Sequence, residues 1–356
     1  MIARMNQDLI ELYSDYLLSS FSKTTATGLS ELLDNQYSHD QITRLLSGNN
    51  FSSETLWRYV KPVVREVEAP DGVLIFDDTI QEKACTRENE LNTYHFDHSK
   101  QRTVKGINLL NAHYHAKDTA VPIAYELVKK PILYSDLKTK KVRRKAEITK
   151  NEMLRDMLKV CCQNCLLFRY VLTDSWFCSN ENMLFIRHQC DKHFLMAMKS
   201  NRKVSLSLED KKQGRSQRVD SIDFTEDKPV KGWIAGIDFP VLLFRQIFKN
   251  KDGSTGTLYL VCSDLSCDGN ELKTIYQKRW KVEVFHKSLK SNASMAKSPS
   301  HTVRTQSNHI FLSIYSAFRL EVLSSKLKMN HFQLRAKIYM KALRSSFDEL
   351  RAYASA

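Results

Sequence analysis

Three aspartates stand where strands are expected to end. Asp77 and Asp78 follow the apolar run Val73-Leu74-Ile75-Phe76, and Asp174 follows Tyr170-Val171-Leu172-Thr173. In open α/β sheets, sites gather at strand ends. Carboxylates placed there supply the oxygen donors that divalent cations take. Taken singly, each aspartate reads more readily as a turn or cap residue. A further carboxylate, Glu283, falls in a segment that reads as one long helix over 270–290. Tyr276, Arg279, Glu283 and Lys290 are spaced to share a stripe about 60° wide at about 100° per residue. Ile275, Val282, Phe285 and Leu289 form an adjoining apolar stripe. The spacing therefore predicts a helix that packs one face on a core and shows a phenol, a guanidinium, a carboxylate and an ammonium along the next. Arg279 and Glu283 also make an i, i+4 pair, so a solvated, salt-bridged edge is the competing reading.

These groups need elements to hold them. Residues 8–67 read as helices with polar breaks. Ser38 and Ser52 each precede a helix start as capping residues, with Ser47-Gly48-Asn49-Asn50 as the turn between. Helix, short turn, helix suits a DNA reader, and equally an ordinary helical hairpin. From residue 70 the pattern changes. Strands are expected at 73–76, 107–115 and 121–127, the last two joined by Lys117-Asp118. A helix at 146–163, a strand at 170–172, a helix at 181–189 and a strand at 194–198 follow. Strands succeeded by alternating helix and strand predict a mixed α/β sheet. Residues 200–257 read as a β-rich insertion, with short strands at 221–224, 233–237 and 241–248 and a turn at Lys251-Asp252-Gly253-Ser254. Residues 258–262 are expected to return to the main sheet, and 306–325 and 331–351 to be helical.

The chain has 356 residues, 42% of them hydrophobic, which is ample for a large core and excludes a disordered tail. Fifty-four Lys and Arg against 40 Asp and Glu give a formal charge of +14, which points to a polyanionic partner. No secretory signal is read at the start. The late uncharged stretch 305–318 is too short to span a bilayer, so nucleic acid is favoured over a membrane. Eight cysteines include one C-x-x-C, Cys162 and Cys165, without a second pair at zinc spacing, so reduced thiols are expected. His95, Asp97 and His98 lie beside Lys100, Arg102 and Lys105, which reads as a DNA-facing loop rather than a metal site.

Tyr276-x2-Arg279-x3-Glu283-x6-Lys290 resembles the Y-R-E-K signature of the DDE transposases of bacterial insertion-sequence family four. Phe76-Asp77-Asp78-Thr79 and Leu172-Thr173-Asp174-Ser175-Trp176-Phe177 resemble that family's two aspartate motifs. The resemblance covers about 70–325 and departs at Ser175-Trp176, where some members carry Arg-Glu. It implies a ribonuclease-H-like catalytic core with an inserted β-rich segment, an N-terminal helical domain and C-terminal helices. The layout is then 1–68 helical and DNA-binding, 69–199 first part of the core, 200–257 insertion, 258–326 second part of the core, and 327–356 C-terminal helical segment. The family places Thr directly after its first catalytic aspartate, which favours Asp78 over Asp77. Asp78, Asp174 and Glu283 are thus the expected catalytic and metal-binding residues.

The resemblance further implies cut-and-paste transposition through hairpin ends, with two Mg2+ ions as cofactors and Mn2+ able to substitute. A related nuclease without strand transfer and a non-catalytic DNA-binding derivative are the alternatives. Expected partners are double-stranded DNA with terminal inverted repeats, target DNA, and a second copy of the chain in the DNA-bound synaptic complex, in the bacterial cytoplasm. Tyr276, Arg279 and Lys290 would grip phosphates near the scissile bond. Lys105 of the loop run, Lys140, Arg143 and Arg144 of a basic stretch at 129–145 (including Lys138), and a second basic stretch at 199–218 would carry the wider DNA path. Trp176 and Trp233 are candidates to stack on a flipped base, with a core role as the competing reading.

Overall fold

The computed structural model describes residues 2–137, 140–225, 228–250 and 252–355. Lys138 of the first basic stretch and Lys251 of the expected turn lie outside the described residues.

Four helices come first: α1 (Ile2–Ser19), α2 (Ala26–Leu32), α3 (His39–Gly48) and α4 (Ser53–Val67). The Ser38 hydroxyl accepts from the Gln41 N–H and the Ser52 hydroxyl from the Thr55 N–H, so both expected caps form. The central strands and helices are β1 (Val73–Glu82), β2 (Thr93–Asp97), β3 (Arg102–Ala116), β4 (Thr119–Leu127), β5 (Ile132–Ser135), β6 (Val142–Lys145), α5 (Lys150–Gln163), β7 (Tyr170–Thr173), α6 (Asn180–Leu184) and β8 (His193–Met198). Next come β9 (Lys203–Val204), α7 (Leu208–Lys212), β10 (Gln217–Arg218), β11 (Val230–Gly232), β12 (Val241–Lys249) and β13 (Thr255–Cys262). The chain closes with α8 (Gly269–Gln277), α9 (Trp280–Ser291), α10 (Val303–Leu327) and α11 (His331–Ser355).

Among the described residues a nine-stranded mixed sheet forms the centre, in the order β11-β12-β13-β8-β7-β1-β3-β2, with β4 also on β3. β1 runs parallel to β7 and antiparallel to β3. Its residues Val73 to Phe76 are fully buried because both sheet faces are covered. Leu74 and Phe76 face a large core shared with α1, α3, α4, α5 and α10. Val73 and Ile75 face a smaller core closed by Leu272, Tyr276 and Val282 of α8 and α9. This alternation decides where each aspartate at the end of β1 points. The β3–β4 hairpin turns at Lys117 and Asp118, both at positive φ, as a two-residue turn that matches strand twist requires.

Several expected elements differ. The helix read over 270–290 is two helices. At the junction the Lys278, Arg279, Lys281 and Val282 N–H groups donate to carbonyls only three residues back. The tighter winding rotates each residue further than an α-helix does, so the expected single stripe does not survive intact. Helix α5 starts at Lys150 rather than 146, because Thr149 caps it with Glu152. The stretch 181–189 ends in a π-helical turn over Phe185–Gln189. No strand forms at 221–224, where a 3-10 turn over Val219–Ser221 leads out. None forms at 233–237 either: Trp233 makes an isolated bridge to Ser205, and Gly236 at φ 79° turns the chain. Within the segment 200–257, β11 and β12 continue the main sheet beyond β13. The helices α1, α3 and α4 share the large core with the sheet. No described helix is long and apolar enough to cross a membrane.

Candidate active site

The ends of β1 and β7, the start of α5 and the middle of α9 border a cavity of about 520 Å3. Asp77, Asp78, Asp174 and Glu283 all line it, with Lys150, Trp176, Lys199 and Lys290. The four carboxylates singled out in the sequence therefore border one cavity.

The two aspartates of β1 face different sides. Asp77 continues the Val73–Ile75 face. It lies opposite Asn111 of β3, and the Asn111 amide oxygen is 3.1 Å from His286 of α9. The parallel register pairs Phe76 with Thr173, so Asp77 and Asp174 leave the sheet side by side. Arg279 ties this face together, with one nitrogen 3.3 Å from Asp77 Oδ2 and another 2.5 Å from Glu283 Oε1. Asp78 continues the Phe76 face, toward α5. Its carboxylate accepts from Lys150 Nζ at 2.7 Å and from the Asn108 amide at 2.9 Å.

The electrostatics follow this division. Burial pushes the Asp77 carboxyl up to about 7; the charges of Asp174 and Asp78 add to the rise, and Arg279 opposes it. Burial also raises Asp174, with Asp78 adding, while the Trp176 backbone N–H on its Oδ1 at 3.0 Å pulls it down. Carboxyls pressed together out of water favour protons or cations. Burial opposes the charge on Arg279, but Tyr276, Asp77 and Glu283 outweigh it, so the guanidinium stays charged.

The remaining expected contacts divide. Lys290 lines the cavity and donates to the Ile80 carbonyl at 2.9 Å; burial lowers its pKa. Tyr276 is 6% exposed and donates to the Thr173 carbonyl at 3.2 Å, so it braces the strand that ends in Asp174. Arg279 is likewise mostly buried between its two carboxylates. Trp176 stands at the rim, 44% exposed, with Lys150 Nζ 4.8 Å from its ring centre and the His98 ring packed on it. Trp233 packs in the insertion against Lys211 instead. Lys105 lies on β3 opposite Tyr94. Lys140 sits at positive φ in the loop between β5 and β6, while Arg143 pairs with Asp136 and Arg144 with Glu88. In the second basic stretch Lys199 reaches the cavity, whereas Arg215 pairs with Asp210 and Arg218 with Asp220. His95 is buried, and burial holds it down to about 3, neutral at physiological pH.

Lys150 is absent from the sequence reading. Its only local signal is its place at the first turn of α5; the Asp78 contact spans 72 positions and needs the fold.

The family described as DDE superfamily endonuclease matches residues 3–231. The chain belongs to that family. The matched span holds β1, β7 and all three aspartates and ends before Glu283. Membership makes this DDE superfamily protein a nuclease of the transposase type. A comparison with curated proteins finds none that matches. DDE-type nucleases generally use divalent metal ions, and the donor set fits one, since the cavity offers carboxylate oxygens and no sulfur. Among the described residues no three potential ligands stand close enough to hold an ion as they are. Arg279 bonds to both Asp77 and Glu283, so ion binding there would require it to release them.

Proposed function

We propose that the protein is a DNA transposase of the insertion-sequence family four type, which cuts and joins element ends through hairpins. The observation that carries this is that Asp77, Asp174 and Glu283 line one cavity, with Arg279 bonded to both Asp77 and Glu283. The core strand order β4-β3-β1-β7-β8, antiparallel and then parallel from β1, supports a ribonuclease-H-like core. In this reading, once Arg279 releases Asp77 and Glu283, these two and Asp174 would hold the metals, two Mg2+ ions with Mn2+ able to substitute. Asp77 is preferred here to Asp78, which lines the same cavity but turns toward α5, where Lys150 and Asn108 hold its carboxylate. Two such ions would activate the attacking oxygen and stabilise the leaving one.

The chain's own groups do the rest. Lys150, Lys199 and Lys290 line the cavity as ammonium groups able to meet phosphate oxygens. Arg279, once free of its carboxylates, offers a planar fork that fits a phosphate. Water attack on phosphorus breaks one P–O3′ bond and leaves a 3′-hydroxyl and a 5′-phosphate; that hydroxyl would then attack a phosphodiester of the opposite strand, forming the hairpin bond as the flanking strand's 3′-oxygen leaves as a second hydroxyl. Double-stranded DNA with terminal inverted repeats and target DNA are the substrates. A second copy of the chain joins in the DNA-bound complex, since joining needs two ends held together. The setting is the bacterial cytoplasm.

The test is incubation of the purified protein with Mg2+ and a supercoiled plasmid carrying the gene with its flanking DNA. Excised fragments with hairpin ends are expected. Simple nicking would leave a nuclease without strand transfer, and binding without cleavage would refute the catalytic reading.

A further inference from the structure

A second cavity, of about 790 Å3, lies beside the first and shares Phe96 with it as a wall. Tyr94 and Phe96 of the edge strand β2 and Tyr134 of β5 line it, together with Lys130, Lys141, Arg143 and Arg144. The aromatics are exposed at 53%, 49% and 40%. Exposed rings interleaved with cations are unusual for a surface that only needs solvation, because each ring in water forgoes its burial.

The spacing says what these rings suit. Tyr94 and Phe96 alternate with buried Thr93 and His95, so both point to the open side of β2. Their cross-strand partners Lys105 and Thr103 share that side. Residues two apart on a strand are about 6.8 Å apart. Stacked bases in a duplex strand rise only about 3.4 Å each. Neighbouring bases that rest on Tyr94 and Phe96 must therefore be unstacked from each other, which a duplex does not allow. Aromatic faces accept any base, and the cations grip the backbone where phosphates displace their present partners: Asp136 on Arg143, Glu88 on Arg144 and the Tyr94 carbonyl on Lys130.

We infer that this groove binds single-stranded DNA, as the path by which one unpaired strand leaves the carboxylate cavity past Phe96. The inference rests on the nuclease reading above and adds to it a strand-separated substrate flank.

The test uses fluorescence anisotropy with a labelled 12-nucleotide oligothymidine and a blunt 12-base-pair duplex. Tyr94→Ala and Tyr134→Ala are each expected to weaken oligothymidine binding about tenfold and duplex binding less than twofold. Lys141→Ala should make the salt dependence of oligothymidine binding shallower by about 0.7 in log–log slope. Both rings are exposed, and unchanged thermal melting will show that the variants fold. Equal losses on both probes, or no loss on either, would overturn the inference even in a protein that cleaves plasmid. Selective loss on the single strand in a protein that cleaves nothing would uphold the groove and count against the nuclease reading.

Discussion

Asp77→Asn tests the crowding of carboxylates on the α9 face. A carboxyl raised from 3.8 to about 7 favours its protonated form when folded. The sign is therefore opposite to that of a salt-bridged aspartate. Wild-type stability is highest while Asp77 is protonated in both states, and it falls as pH rises from about 4 through 7. The full rise corresponds to about 4 kcal/mol, of which about 2–3 kcal/mol falls between pH 5 and 8. Asparagine does not titrate, so that loss is absent from the variant. Urea unfolding in EDTA, followed by circular dichroism, should show Asp77→Asn gaining about 2–3 kcal/mol on wild type between pH 5 and 8. Millimolar Mg2+ should narrow the gap at pH 8 by stabilising wild type. A gap independent of pH, or one that closes as pH rises, would refute the argument that burial and Asp174 press on Asp77 from its own face.

Other perturbations reach neighbouring parts of the account. Arg279→Lys keeps the charge but loses the fork; hairpin formation on a pre-nicked end should slow on the order of 100-fold, and first-strand nicking less, in a denaturing-gel time course. Tyr276→Phe removes the hydroxyl on the Thr173 carbonyl and should cost about 1 kcal/mol in urea unfolding. Gly106 lies where β3 pairs with both Glu82 and Thr93, and an added Cβ would stand 2.3 Å from the Gln81 carbonyl oxygen. Gly106→Ala should therefore cost about 2–3 kcal/mol by the same measurement.

Much of the frame is legible in local chemistry. Val73 to Phe76 reads as a buried strand because apolar residues fill both faces, and Lys117-Asp118 reads as a turn between two apolar runs. Ser38 and Ser52 announce helix starts, since a cap is a local hydrogen bond. The junction at Lys278-Arg279 is not legible, because residue spacing fixes a stripe only if the winding is uniform. There Arg279 bonds to Asp77, 202 positions away, and no local periodicity reports that contact. The proposed preference for Asp77 over Asp78 rests on a contact of the same long-range kind. A following threonine is a sequence pattern, whereas the face each aspartate takes depends on register with β3 and β7. Lys150 escapes notice because a lone lysine at a helix start carries no signal until Asp78 is placed beside it. The strand expected at 221–224 gives way to the 3-10 turn before it, and the one at 233–237 is cut to the single Trp233–Ser205 bridge by the turn at Gly236.

The central claim is that Asp77, Asp174 and Glu283 form the metal-binding set. It is tested most directly by measuring single-turnover cleavage of the plasmid with its flanking DNA, in Mg2+, for four alanine variants. Asp77→Ala, Asp174→Ala and Glu283→Ala should each lose cleavage by more than about 1,000-fold while keeping DNA binding, since phosphate contacts supply most of the affinity. Asp78→Ala should retain cleavage within about tenfold, its loss reflecting only the freed Lys150. An inactive Asp78→Ala beside an active Asp77→Ala would contradict the account.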